Sequence, residues 1–229
     1  MNPPYTVAQV LADTGPILLD FDGPICAVFA TLPDHAVAEQ LRHVLRAHHV
    51  EIPHHVQTAS DPFDVLRFTA TLGTPQLTAR VDDQMRAAEL VAVDGATPTP
   101  YAREVIVAAH EAGRPLAIVS NNSTDAIARY LDAHRLTRYL TAIIGRPHAN
   151  PAGMKPDPEP VRHAVHAVHA DPATGVLIGD STTDIEAARA AGTRSIGYAN
   201  KPGKRDRLTN AGADAITEGF NGMAPSHLR

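Results

Sequence analysis

Two kinds of apolar pattern alternate along the chain. Pro16-Ile17-Leu18-Leu19-Asp20-Phe21-Asp22 is a short, almost continuous apolar run that ends in acid and then Gly23-Pro24, the form of a central strand in a parallel sheet covered on both faces. Residues 116–119, stopping at Ser120, and 175–179, stopping at Asp180, repeat that form, and weaker strands are expected at 142–144, 195–197 and 213–216. Between them lie helical patterns over 101–112, 124–134 and 159–169. Their start signals are Thr99-Pro100, Asn122 or Ser123, and Asp157-Pro158, where an N-cap residue meets proline or a first-turn acid. Strand and helix therefore alternate from about residue 99 onward, which predicts right-handed βαβ units and an α/β, doubly wound, Rossmann-like parallel sheet.

Residues 26–94 break the rhythm. They carry no strand pattern, but Pro33-Asp34 opens an amphipathic stretch to about His48, Ser60-Asp61-Pro62 another to about Thr71, and Thr74-Pro75 a third to about Val93. The expected organisation is a discontinuous catalytic core, 1–25 and 95–229, with an inserted all-helical cap, 26–94. Because the insert follows the first strand, it would stand over the carboxyl edge of the sheet, where open α/β sheets place their ligands. Gly23-Pro24 and the Pro- and Gly-rich residues 94–100 suit the two connections.

Composition narrows the function. The 229 residues, 44% hydrophobic and 20% charged, suffice for one large domain or a core with an insert, and they exclude a disordered chain. Lys plus Arg is 20 and Asp plus Glu is 25, a net −5, so binding of nucleic acid or an anionic membrane through bulk charge is excluded and any anion must meet a local site. No apolar run reaches the roughly 18 residues of a membrane span, and residues 1–15 lack the basic and apolar regions of a signal peptide. A single cysteine, Cys26, leaves no intramolecular disulfide and no multi-cysteine zinc site. These features predict a cytoplasmic protein. Lysine is scarce: Lys155, Lys201 and Lys204 are the whole complement.

The predicted strand ends gather Asp20, Asp22, Ser120, Asn121, Lys155, Asp180 and Asp184 at one edge. Clustered carboxylates from two strands form a hard, all-oxygen donor set that suits Mg²⁺. Asp180 and Asp184, four residues apart at a helix start, could face one point, with a first-turn acid favoured by the helix dipole as the rival reading of Asp184. At about 4 Å and an effective dielectric near 20 each like-charge pair costs about 4 kcal/mol, which a divalent ion and a lysine can offset. The histidines are less telling. His48-His49 and His54-His55 lack acids or cysteines at ligand spacing, and His163, His166 and His169 drift around their helix, so both sets read as solvated. Arg42, Arg46, Arg67, Arg80 and Arg86 of the insert are available to a second anionic group, with none singled out.

The ordered set Asp20-Phe21-Asp22-Gly23, Ser120, Lys155-Pro156 and Gly179-Asp180-Ser181-Thr182-Thr183-Asp184 resembles the four motifs of the haloacid dehalogenase superfamily. The helical insert resembles that of its cap-bearing branch, which includes phosphoglycolate phosphatase and beta-phosphoglucomutase, and the similarity runs from about Pro16 to Ile216. The resemblance implies a Mg²⁺-dependent phosphatase acting on a small phosphomonoester through an aspartyl-phosphate. Asp20 would be the nucleophile and Asp22 the acid and base, with Ser120, Asn121 and Lys155 holding the phosphoryl group. The metal would be held by the Asp20 carboxylate, Asp22 through its backbone carbonyl, Asp180, and Asp184 directly or through water. A phosphomutase of the beta-phosphoglucomutase type shares this core. A non-catalytic phospho-acceptor module, like the receiver domain of response regulators, shares its acids and lysine but lacks the insert and the late motif. One departure stands out: many members read Asp-x-Asp-Gly-Thr, whereas position 24 here is proline, so a hydroxyl that could orient Asp22 is missing.

Overall fold

The computed structural model describes residues 3–223. A short helix, α1 (Val7–Ala12), precedes strand β1 (Ile17–Leu19) and the two-residue β2 (Cys26–Ala27). Four helices follow: α2 (Asp34–Ala47), the single turn α3 (His54–Gln57), α4 (Pro62–Ala70) and the long α5 (Pro75–Asp94). After β3 (Thr97–Pro98) the chain alternates through α6 (Ala102–Glu111), β4 (Leu116–Val119), α7 (Thr124–Ala133), β5 (Ala142–Ile144), α8 (Glu159–Ala167) and β6 (Val176–Gly179). It closes with α9 (Thr182–Ala191), β7 (Arg194–Tyr198), α10 (Lys204–Ala211) and β8 (Ala215–Thr217).

Six strands form one sheet in the order β5-β4-β1-β6-β7-β8, and every pairing in it is parallel. The chain winds outward from β1 on one side and then on the other, so the switch in direction falls beside β1, with β4 and β6 as its neighbours. That arrangement makes the carboxyl ends of β1, β4 and β6 adjacent and opens a crevice there. The strands are apolar on both faces because both faces are covered. Ile17, Leu19, Ile118 and Ile178 pack on one side; Leu18, Ala117, Val119 and Leu177 pack on the other.

Helices α2, α4 and α5 assemble a separate apolar cluster from Val37, Leu41, Leu45, Val65, Leu66, Val81 and Met85. Met154, from the loop before α8, joins it, and Phe29 and Leu32 pack against both this cluster and that of the sheet.

Several boundaries differ from the sequence pattern. β1 ends at Leu19 rather than Asp22, because Gly23 turns the chain with φ +105°. The last strand is Ala215–Thr217 rather than 213–216. The stretch after residue 26 does contain a strand: Cys26–Ala27 pairs antiparallel with Thr97–Pro98 where the chain leaves and re-enters the sheet layer. Two residues are too few to carry a two-residue period, which explains why no pattern announces them. α6 does not use Thr99-Pro100 as its start. Its N-cap is Tyr101, in the left-handed region at φ 64°, and the Thr99 hydroxyl instead donates to Gly23 O at 2.6 Å, tying the re-entry point to the turn after β1. Asp61 does cap α4, accepting from Phe63 N at 2.8 Å.

Leu18 lies fully buried on the central strand. Leu18→Ala is expected to cost about 2 to 5 kcal/mol through lost transfer energy and a residual cavity. Urea unfolding should register this as a lower midpoint at unchanged slope; a loss under about 1 kcal/mol contradicts the packing described here.

Candidate active site

The seven residues at the predicted strand ends converge in the structure. Asp20, Asp22, Ser120, Asn121, Lys155, Asp180 and Asp184 all line one cavity of about 420 Å³ at the carboxyl edge of the sheet. Asp20 follows β1 directly, and its N–H continues the ladder by donating to Ile178 O at 2.9 Å. Ser120 and Asn121 follow β4, Asp180 follows β6, and Lys155 reaches in from the loop before α8.

Lys155 is the hub. It is 1% exposed, and its Nζ donates to Asp20 Oδ1 at 2.9 Å and to Val119 O at 2.7 Å. Asp184 Oδ1 lies 2.5 Å from the same nitrogen as an ion pair, yet this oxygen lacks hydrogen-bond alignment with any donor. Burial alone would lower the Lys155 ammonium, but Asp184 and Asp20 carry it above the ordinary lysine value, so it stays charged. The loop that delivers it is cross-linked to Asn121: Lys155 N donates to Asn121 Oδ1 at 2.9 Å, and Asn121 Nδ2 donates to Lys155 O at 3.2 Å. The Lys155-Pro156 peptide is cis.

The two motif carboxylates differ in support. Burial, with Asp184 adding, pushes Asp20 up to about 7 against the pull of Lys155. Burial likewise raises Asp22 to about 7, opposed by the Val28 N–H, which donates to its Oδ1 at 2.9 Å. That backbone donor orients the Asp22 carboxyl although position 24 offers no hydroxyl. Burial raises Asp180 too, opposed by Lys204, which hydrogen-bonds Asp180 Oδ2 from the first turn of α10. Lys204 was not among the residues expected at this site. Its signal in the sequence was scarcity, since it is one of three lysines, but nothing local tied it to a strand end.

Carboxylate oxygens of Asp20, Asp180 and Asp184 lie within 4.8 Å of one another. Among the described residues this is the one group of three or more His, Cys, Asp or Glu so placed, and it contains no histidine. An all-oxygen set of three carboxylates fits a hard divalent cation such as Mg²⁺. The side chain of Asp22 lines the cavity but stands outside this group, because its Oδ1 is turned to Val28. Asp180 and Asp184 do not share a helical turn either. Asp180 precedes the N-cap, Ser181, whereas Asp184 is the third residue of α9 and completes a capping box with Ser181. Asp184 thus caps a helix and pairs with Lys155 at once. Gly23 permits the close approach of the two loops, since a Cβ there would meet Asp180 Oδ2 at 2.4 Å.

The helical layer closes the other side of the cavity with Phe29, Phe63, Asp34, Asp61, Asp64 and Arg67. Arg67 is the one insert arginine that lines it; it pairs with Asp64 and donates to Lys155 O at 3.3 Å. Arg42 instead holds Glu39 and the carbonyls of Val56 and Ala59, and Arg46 pairs with Glu39. No helix among the described residues is long and apolar enough to cross a membrane.

Comparison with known proteins points one way. A family model for haloacid dehalogenase-like hydrolases matches residues 17–198. Phosphoglycolate phosphatase of Salmonella paratyphi A is 29% identical over 136 residues, which cover 59% of this chain and 53% of that enzyme. The plasmid phosphoglycolate phosphatase of Cupriavidus necator is 38% identical over 122 residues, 52% of this chain and 50% of that enzyme. The matched region thus spans about half the length of these relatives. Among solved structures, CbbY of Rhodobacter sphaeroides in complex with phosphate has a TM-score of 0.67 at 19% identity, over 92% of this chain and 96% of that one. A hydrolase from Pseudomonas syringae has a TM-score of 0.64 at 18% identity, over 89% and 92%. At such identities these two likenesses speak for the fold.

A carboxyl raised from 3.8 to about 7 resists ionisation in the folded chain while the unfolded chain ionises freely. The contribution of Asp22 to stability therefore falls as pH rises from about 4 to about 7 and stays low above that. Asp22→Asn is expected to raise the thermal midpoint of the metal-free protein at about pH 8, by a margin that shrinks as the pH is lowered toward about 4. Thermal melts across that range in chelator check this, and an unchanged or lower midpoint at about pH 8 contradicts it.

Proposed function

The chain belongs to the haloacid dehalogenase-like hydrolase family, and from that premise we propose that it is a Mg²⁺-dependent phosphatase that hydrolyses a small-molecule phosphomonoester through an aspartyl-phosphate. One observation carries the reading. A buried ammonium, Lys155, is bound to Asp20 in the same cavity as Asp22, Ser120, Asn121 and Asp180. Phosphoryl transfer asks mainly for positioning and for neutralisation of oxygens, and this set can provide both.

In the proposed sequence the Asp20 carboxylate, oriented by Lys155 at Oδ1, attacks phosphorus and displaces the alkoxide. Asp22, protonated in part near neutral pH because burial raises it to about 7, gives its proton to the leaving oxygen. Once deprotonated, it takes a proton from the water that attacks the aspartyl-phosphate, which releases phosphate and restores Asp20. The backbone N–H of Asn121, which donates to no other group among the described residues, and the Ser120 hydroxyl would hold phosphoryl oxygens. Asp20 and Asp180, with Asp184 beside them, are the residues that would hold Mg²⁺, which supplies charge neutralisation at the phosphoryl oxygens when bound.

The helical layer, acting as a cap, would contact the alcohol. Its wall sets three carboxylates, Asp34, Asp61 and Asp64, against one guanidinium, Arg67. That balance favours an uncharged or cationic alcohol over one carrying a second carboxylate. Phosphoglycolate, the substrate in the names of the relatives above, is therefore a member of the test panel and not an assumption.

Phosphate release from a panel of phosphorylated metabolites, with Mg²⁺ and with chelator, tests the reading; isomerisation of hexose phosphates is followed in parallel. Asp20→Asn is expected to lower turnover at least about a thousandfold with circular dichroism unchanged, and chelator should abolish the rate. Near-normal Mg²⁺-dependent turnover by the folded Asp20→Asn protein contradicts the mechanism.

A further inference from the structure

A second ionic cluster lies outside the catalytic set. Arg146, in the loop after β5, is 2% exposed and grips two carboxylates of α5. Its Nε donates to Asp82 Oδ1 at 2.8 Å, and its Nη1 and Nη2 donate to the two oxygens of Glu89 at 2.7 and 3.2 Å. Arg86 completes the group, pairing with Asp82 and donating to Arg146 O at 2.9 Å. Two carboxylates thus meet two guanidiniums and the charge balances. A buried ion network of this kind is weak as a source of stability, because well-packed apolar residues often do as well. What it touches is more informative.

Besides Ala149 N, which donates to Asp82 Oδ2 at 2.7 Å, the groups it holds belong to the loop that follows β4. Arg146 Nη1 donates to Asn121 O at 2.7 Å, and Arg146 N donates to Asn122 O at 2.8 Å. Glu89 accepts from Asn122 Nδ2 at 3.2 Å and from Ser123 N at 3.1 Å. Glu89 thereby stands at the start of α7, where the Ser123 hydroxyl makes no capping bond. With its Nδ2 committed to Glu89, the Asn122 amide presents Oδ1 to Ser120 Oγ at 3.2 Å, and Asn122 N donates to the same hydroxyl at 3.2 Å. The orientation of Ser120 and of the Asn121 peptide is consequently set from α5, a helix of the other layer.

We infer that Arg146 and Glu89 are positioning residues for phosphate: the carboxylate of α5 and the guanidinium it pairs with hold the Ser120–Asn121–Asn122 loop in its phosphate-binding form. The inference rests on the phosphatase reading, since it takes that loop as the phosphate site. It makes the phosphate site a joint product of sheet and helical layer rather than of the sheet alone.

Glu89→Gln keeps shape but removes the charge shared by four donors. Asn122→Ala cuts the link to Ser120 and leaves the ion pairs intact, so it tests the same idea should the first variant fail to fold. Calorimetric binding of inorganic phosphate in the presence of Mg²⁺ is the primary readout, with KM and kcat on an ester that the wild type hydrolyses as the second. Both variants are expected to bind phosphate at least about tenfold more weakly and to raise KM by a similar factor, with a smaller change in kcat. Met85→Ala, which opens a cavity in the apolar cluster on the same helix, should lower the melting temperature yet leave phosphate affinity within about twofold of wild type. Phosphate affinity within about twofold of wild type in the variants, or an equal loss in Met85→Ala, overturns the inference. If the wild type itself binds no phosphate and turns over no ester, the phosphatase reading falls and this inference with it.

Discussion

A single buried ammonium holds the site together. Lys155 has lost nearly all contact with water and is kept charged by two carboxylates and a carbonyl. Without it, Asp20 and Asp184 would be two buried carboxylates facing each other, and one of them would have to take up a proton. Its position depends in turn on all parts of the molecule. The backbone of Lys155 is clamped by the Asn121 amide after β4, its carbonyl receives Arg67 from α4, and Met154 beside it is buried in the helical cluster. The loop before α8 is therefore one place where sheet edge, the loop after β4 and the helical layer are joined.

The two ionic clusters illustrate opposite uses of buried charge. Around Arg146 carboxylates and guanidiniums are equal in number, and burial, which would lower that guanidinium, is outweighed by Glu89 and Asp82. Its groups are satisfied, which suits a scaffold. At the strand ends Asp20, Asp22, Asp180 and Asp184 face Lys155 and Lys204, so carboxylates outnumber ammoniums and burial raises Asp20, Asp22 and Asp180. That deficit of positive charge is unfavourable for the protein alone and is what a divalent cation would offset. The proposed chemistry belongs to the unbalanced cluster, and the balanced one ties its neighbours together.

Much of this was legible in one dimension because local physics writes it there. Strands covered on both faces must be apolar throughout, so β1, β4 and β6 appear as short apolar runs, and the residue that ends each run must stand at the sheet edge. That reasoning was enough to bring Asp20, Ser120 and Asp180 to one crevice. Helices α2, α4 and α5 were legible from their period and from proline or aspartate at their starts. The antiparallel pair of β2 and β3, two residues each, was not, because so short an element leaves no period. The α6 start was misleading for another reason: Thr99 is chemically an N-cap residue, but Tyr101 turns left-handed and takes the N-cap position, which leaves Thr99 outside the helix with its hydroxyl donating to Gly23 O.

What the order of residues determined by itself is the α/β class and the set of groups with chemistry to offer, since strand and helix periods and the residue types at strand ends are local properties. Tertiary structure alone decided who holds whom. Lys204 on Asp180, Val28 on Asp22, and Glu89 with Arg146 on the loop after β4 join residues 24, 6 and 34 or 57 positions apart. No period or motif links such positions. They meet because parallel strands and a packed helix bring their ends together, and a buried charge must then find a partner within reach, wherever in the chain that partner lies.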